Sequence, residues 1–229
     1  MANEENPYAP PQAPSYAPPP PPGNGGGARL PWEDRDTLGF MPALIETLKL
    51  IFTDPRGAFS RLRLDGQYVP PLIFSLLVSW VMGIINQVWS LGFSAIFSFG
   101  DVAAMGVSLG QVVAYALLYP IAHPIVLLLV SGIYHLSLSV LGGLRNSELG
   151  FEGSFKILSY AMASNVAYIV PIIGPFIGLG FFLYFIFIGF ETAHRADRKQ
   201  AILGALLPLL LCCLCGVIAA LVGGGLAAF

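Results

Sequence analysis

The chain has 229 residues, of which 55% are hydrophobic and only 10% charged, and its mean hydropathy is +0.73. A water-soluble domain carries about 25% charged residues, so an ordinary soluble enzyme is excluded, and the apolar content equally excludes a chain disordered throughout. Eleven Lys and Arg against thirteen Asp and Glu leave a net charge of −2, which is not the basic footprint of a nucleic-acid binder.

Residues 1–28 are low in complexity, with a proline tract that includes Pro18 to Pro22 and a glycine run, Gly23 to Gly27, interrupted by Asn24. Such a segment buries too little to offset its ordering entropy. It reads as a disordered tail of polyproline II character ending in a flexible hinge. The tail is either a solvated spacer or a Pro-x-x-Pro ligand for a partner with an aromatic groove. It lacks the basic start and apolar core of a secretory signal, and no lipidation motif is present. Entry into a membrane is therefore expected through internal apolar segments.

Residues 29–65 form a basic juxtamembrane segment with six cations: Arg29, Arg35, Lys49, Arg56, Arg61 and Arg63. Leu44, Ile45, Leu48, Ile51 and Phe52 recur on one helical face, and Asp54-Pro55 ends that helix. An amphipathic helix with basic flanks beside a membrane span lies in the interface. Lys49, Arg56, Arg61 and Arg63 are the candidate contacts to lipid headgroups or a partner protein; a simple surface anchor is the competing reading.

Residues 66–229 read as a membrane domain. From 66 to 144 Asp101 is the one charged residue, a stretch far longer than the ~20 residues needed to cross a bilayer. It divides at the softer region 92–110, giving spans at about 70–91 and 112–141. Pro120 and Pro124 each remove a backbone hydrogen bond from the second span, which predicts a kink and a need for neighbouring helices to satisfy the freed groups. Residues 145–156 read as a polar loop. Residues 157–190 are uncharged, but one helix of that length would measure ~51 Å, too long for a ~30 Å core. Pro171-Ile172-Ile173-Gly174-Pro175 is a turn signal, so two spans are expected, at about 155–172 and 174–190. The last span is expected at about 201–222. It carries Cys212, Cys213 and Cys215, which are no disulfide framework and read as small apolar packing residues.

Charge orients this arrangement. With five spans, all eleven cations fall on one side, before the first span, between the second and third, and between the fourth and fifth. The positive-inside rule then places the N-terminus in the cytoplasm and the C-terminus outside it. Merging 157–190 into one span would put three cations on the wrong side. The expected fold is all-α, a polytopic bundle of five transmembrane helices.

Small residues recur at intervals of four: Gly174 and Gly178, then Gly216, Ala220 and Gly224 in the last span. Such stripes let helix backbones approach closely in lipid. They serve packing within the bundle or contact with a second copy or another membrane protein.

Little in the spans suggests chemistry. His123 lies between two prolines in the second span, and His135 is ~120° away around the same helix, so the two share no face and make a poor metal site. His123 and Asn165 are candidate intramembrane polar residues, for hydrogen bonding between helices or for a proton or solute path. Gly106-Val107-Ser108-Leu109-Gly110 has the spacing of a nucleophile elbow, a motif that works where a strand turns into a helix; in an all-helical chain it reads as chance. No phosphate loop, dinucleotide fingerprint or His-Glu-x-x-His is present. No catalytic residue, cofactor or metal is expected.

Several segments together resemble a known family. Thr47-Leu-Lys-Leu-Ile-Phe-Thr-Asp-Pro-Arg-Gly-Ala-Phe59 precedes the first span, and Pro70-Pro71-Leu72 opens it. Lys156-Ile-Leu-Ser-Tyr160 and then Ile169-Val-Pro-Ile-Ile-Gly174 follow in order. The pattern, over roughly 41–225, resembles the Yip-domain family of Ypt/Rab-interacting integral membrane proteins, in its prokaryotic branch. The resemblance implies a five-helix bundle with a cytoplasmic N-terminus and no catalytic residues. For eukaryotic members it implies roles in vesicle traffic and binding of Rab-type GTPases. The expected function is a non-enzymatic membrane adaptor or organiser with lipid, membrane-protein or self contacts, in the cell membrane if the source is prokaryotic. A small-solute channel or transporter using His123 is the alternative.

Overall fold

The computed structural model describes residues 29–97 and 102–226, with side chains described outside 94, 95, 97, 102–108 and 217–226. The proline-rich tail and Asp101 lie outside the described residues. Those described are helical with loops and contain no strand. A short 3-10 turn, Pro31–Asp34, leads into α1 (Arg35–Leu38), α2 (Phe40–Thr53) and α3 (Pro55–Ser60). The bundle follows as α4 (Val69–Phe97), α5 (Val102–Val140), α6 (Gly150–Ala161), a 3-10 helix (Met162–Ile169), α7 (Gly174–Thr192) and α8 (Arg198–Leu226).

Four helices are long and apolar enough to cross a membrane among the described residues, over Val69–Phe93, Leu109–Val140, Gly174–Thr192 and Arg198–Gly216. They match the expected first, second, fourth and fifth spans. The expected third, 155–172, is different in kind. It is α6, twelve residues long, continued by eight residues of 3-10 helix. The reading of 145–156 as a loop is corrected as well, because α6 starts at Gly150. Glu152 and Lys156 stand four apart and form an ion pair on one helical face, so the charges that suggested a loop cancel within a helix. The soft region 92–110 is also more helical than expected, since α4 reaches Phe97 and α5 starts at Val102. Glycine and serine are weak helix formers, not absolute breakers. The backbone over 106–110 is helical, which is not the turn a nucleophile elbow requires.

Contacts along the helices fix their directions. Tyr68 meets Phe155, Phe74 meets Tyr160, and Asn165 reaches Ser79, so α6 and its 3-10 continuation run parallel to α4. Ser75 pairs with His123 and Tyr115 with Ser79, so α4 and α5 are antiparallel. α6 lies between α4, α5 and α7, and Glu152 through Ala161 are all buried. It is the central element, covered by protein where the other helices face lipid.

Two of the interior prolines, Pro120 and Pro208, are accommodated from outside their own helices. Pro120 has no N–H to give the Ala116 carbonyl, and Trp80 Nε1–H from α4 donates to that oxygen at 3.1 Å. Pro208 likewise frees the Gly204 carbonyl in α8, and Ser137 Oγ from α5 donates to it at 3.1 Å. Side chains thus fill two backbone vacancies that hydrocarbon could not. The turn at 170–173 places Ile172 at φ 65, which is strained for a β-branched residue.

Candidate functional site

The N-terminal segment is a collar clamped to the bundle by buried polar contacts. Trp32 is fully buried. Its backbone N–H donates to Thr47 Oγ1 at 2.7 Å, tying the segment to α2, and its Nε1–H donates to the Pro70 carbonyl at 2.7 Å, tying it to α4. The ring packs on Phe40 and Phe74, with the Arg35 guanidinium 5.3 Å from its centroid. Tyr160 of α6 donates to Glu33 Oε1 at 3.1 Å. Burial pushes the Glu33 carboxyl above its usual range, although the Tyr160 hydrogen bond opposes this.

The centre of the clamp is Lys156. Its side chain is 1% exposed, and Nζ donates to the Arg63 carbonyl at 2.7 Å and to Asp65 Oδ1 at 2.5 Å, with Glu152 Oε1 at 2.8 Å. Glu152 Oε1 also accepts from the backbone N–H groups of Asp65 and Gly66. Burial works against the Asp65 carboxylate, but hydrogen bonds from Lys156 and the Gln67 N–H outweigh it and hold its carboxyl below the usual range. One ammonium and one carboxylate from α6 thus fix the 63–66 loop that leads into α4.

A third anchor joins α2 and α3 to α7. Arg56 pairs with Glu191, and Phe52 packs edge-on against Phe181 and Phe185. Asp54 caps α3 by accepting from the Gly57 N–H. As a result α2 turns Ala43, Thr47 and Ile51 into the bundle, while Phe40, Met41 and Ile45 remain about half exposed. The apolar stripe expected from Leu44, Ile45, Leu48, Ile51 and Phe52 is therefore divided between core and surface.

Of the four candidate contact cations, Lys49 is exposed, Arg56 is held by Glu191, Arg61 is half-buried, and the Arg63 carbonyl accepts from Lys156. Of the candidate packing residues, Gly174 and Gly178 are buried against the 3-10 helix: a Cβ on Gly174 would stand 2.3 Å from the Ala167 carbonyl oxygen, and one on Gly178 3.2 Å from that of Ser164. Gly216 is exposed with open space around it, and the side-chain surroundings of Ala220 and Gly224 lie outside the described residues. His123 is buried, with Nε2 3.0 Å from Ser75 Oγ. Ser75 also donates to the Leu72 carbonyl, so His123 Nε2–H is assigned as the donor. Asn165 Nδ2 donates to Ser79 Oγ at 2.8 Å.

Sequence reasoning did not find a second histidine network. His194, fully buried between α7 and α8, has Nδ1 2.6 Å from Ser147 Oγ and Nε2 2.9 Å from Ser154 Oγ; His135 Nδ1 approaches the same Ser154 oxygen at 2.8 Å. Ser154 has one proton, so it donates to one ring and accepts from the other. Burial, aided by nearby His135, pushes His194 down to about 4. Trp32, Asp65 and Glu152 were missed too. The spacing of Glu152 and Lys156 was a readable signal, whereas nothing local pointed to Asp65. No group of three or more His, Cys, Asp or Glu side chains able to hold a metal occurs among the described residues.

Comparison with known proteins agrees with this architecture. A search of curated proteins finds no match, and a search of solved structures finds none. A family model described as the Yip1 domain matches residues 49–220, from within α2 into α8. That match covers most of the chain and coincides with several apolar membrane helices, so the chain is a multi-pass integral membrane protein that belongs to the Yip1-domain family.

Proposed function

We propose that this protein is a non-enzymatic membrane adaptor, which presents its 29–65 collar at the cytoplasmic surface to lipids and to other membrane proteins. The observation that carries this reading is the division of α2. One face is anchored through Ala43, Thr47 and Ile51, while Phe40, Met41 and Ile45 stay exposed beside Lys49. A helix clamped on one side and apolar on the other suits an in-plane position at the interface. The clamp gives it a fixed direction, as a docking surface needs.

The reading includes five crossings with the N-terminus in the cytoplasm. At ~1.5 Å per α-helical residue and ~2.0 Å per 3-10 residue, Gly150–Ile169 extends ~34 Å, enough for a third crossing. Its parallel course with α4 and the one-sided distribution of cations support the same topology. Single cysteines placed at Asp36, Asn146 and Ile172 in a background lacking Cys212, Cys213 and Cys215 test it. Impermeant thiol reagents applied from outside are expected to label only the Ile172 position.

The adaptor reading is tested by photo-cross-linking residues placed at Met41, Ile45 and Lys49 in native membranes. Protein adducts that vanish when Lys156→Met loosens the clamp are expected. Adducts to lipid alone at all three positions would reduce the collar to a surface anchor. A second reading, passage of a small solute, draws on His123, which is 4% exposed and lines a cavity of about 160 Å³ beside Tyr119 and Met162. Solute flux in reconstituted vesicles that His123→Ala abolishes would favour that reading over the adaptor.

A further inference from the structure

Helix α5 ends in a glycine cap. Gly142 stands at φ 74. Its N–H donates to the Ser139 carbonyl and the Gly143 N–H to that of Leu138, both at 2.9 Å, the Schellman arrangement that a left-handed glycine allows. Gln200, in the first turn of α8, donates from Nε2 to the Leu141 carbonyl at 3.1 Å. These carbonyls are satisfied without a cation.

Arg145 follows three positions after Gly142 and turns back over the cap. A Cβ on Gly142 would lie 3.4 Å from Arg145 Nε and 3.6 Å from both its Cζ and Gln200 Nε2, so the glycine leaves a gap beside the guanidinium. Gly142 and Arg145 both line a cleft of about 370 Å³, together with Ser139, Val140, Leu141 and Leu144. No Asp or Glu lines it. Arg145 is exposed, and its side chain forms no ion pair or hydrogen bond among the described residues. Its charge is therefore available to a ligand in the cleft. Lys199, exposed next to Gln200, adds a second cation at this end of the bundle.

The cleft also touches the hydrocarbon boundary. Val140, one of its lining residues, is 74% exposed and is the last residue of a membrane-crossing helix. Ile133, Leu136 and Val140 are each more than half exposed and recur at i, i+3 and i+7 on one face of α5. That face is an apolar track ending at a cation. A soluble phosphate or an acidic peptide would use Arg145 and leave the track bare, whereas a phospholipid uses both.

We infer that this cleft holds the phosphate of an anionic glycerophospholipid, whose acyl chains lie along Ile133, Leu136 and Val140. Arg145 supplies a fork of N–H donors suited to phosphate oxygens, and Ser139 adds a hydroxyl. The site is separate from the 29–65 collar, so the inference is independent of the adaptor reading. It rests on the membrane placement of α5 and not on which side of the membrane this end faces.

The test uses the full chain in phosphatidylcholine nanodiscs with a trace of phosphatidylglycerol bearing a diazirine near its acyl carbonyl, adducts being mapped by mass spectrometry. Adducts are expected on Leu136 and Val140 in excess over Val113 and Leu117, which are also more than half exposed but lie toward the opposite end of the same helix. Unlabelled phosphatidylglycerol competes, whereas phosphatidylcholine and soluble glycerol phosphate do not. Arg145→Gln lowers the competable labelling about fivefold, the effect of one cation at the headgroup. Arg195→Gln removes a cation that Glu148 already pairs and leaves the labelling unchanged. Adducts shared evenly with Val113 and Leu117, or equal losses in the two variants, would overturn the inference. Competition by glycerol phosphate would overturn it in favour of a soluble phosphate. The wild-type adduct map and the competition arms decide the matter even if a variant fails to fold.

Discussion

Lys156 and Asp65 meet at 2.5 Å although 91 positions separate them in the chain, and this contact fastens the collar to the central helix. The ammonium is almost wholly enclosed, and Glu152 shares it. Removing one partner of a buried pair costs more than replacing all of them, because an uncompensated charge remains. Lys156→Met leaves two carboxylates facing each other and is expected to lose about 3 to 5 kcal/mol. Asp65→Asn leaves Lys156 balanced by Glu152 and is expected to lose about 1 kcal/mol. Chemical unfolding in detergent measures both; equal losses would show that Glu152 does not share the charge.

The long apolar helices were legible because their message is compositional. A run of uncharged residues in α4, α5, α7 or α8 means the same thing wherever it is read. α6 was not legible in that way, because protein covers it and its polar groups are paired there. Glu152 and Lys156 looked like loop residues until their spacing was joined to Asp65, a partner supplied by another part of the chain. His194 was hidden for the same reason, since Ser147 and Ser154 become its partners only when α6 packs against α7. The prolines were partly legible. The carbonyl freed at Ala116 followed from Pro120 in the sequence, but its donor Trp80 did not, and neither Pro208 nor its partner Ser137 stood out there.

That donor relationship is separable by a double-mutant cycle. Trp80→Phe keeps most of the ring but leaves the Ala116 carbonyl without its donor, an expected cost of about 1 to 3 kcal/mol. Pro120→Ala restores a backbone N–H to the same oxygen. In that background Trp80→Phe is expected to cost less by about 1 kcal/mol. Additive losses in unfolding measurements would mean that Trp80 acts through packing alone.

Ile172 offers a stabilising change. Its positive φ is uncomfortable for a β-branched side chain, and it is 66% exposed. Asn tolerates the left-handed conformation, so Ile172→Asn is expected to gain about 1 kcal/mol. Ile172→Val keeps the branching and is expected to gain nothing. A loss of stability in the Asn variant would show that membrane contact of the isoleucine outweighs its backbone strain.

His194 gives the bundle a defined acid sensitivity. Its imidazole titrates at about 4 in the folded protein and at about 6.5 in an unfolded chain. Between those values the unfolded state binds more protons, so stability falls as pH falls. The contribution is fully present above pH ~6.5 and is lost progressively down to pH ~4, a loss on the order of 3 kcal/mol. Glu33, whose carboxyl is raised, acts with the opposite sign, because its protonated form is favoured in the fold. Asp65 has the same sign as His194 but titrates lower, its carboxyl being held below the usual range. His194→Gln removes one titration and leaves the others, so the difference between variant and wild type isolates the histidine. Unfolding measured from pH 7 to pH 4 is expected to fall more steeply in wild type than in His194→Gln. Parallel curves would mean that the imidazole takes up its proton over the same pH range in the folded and unfolded chains.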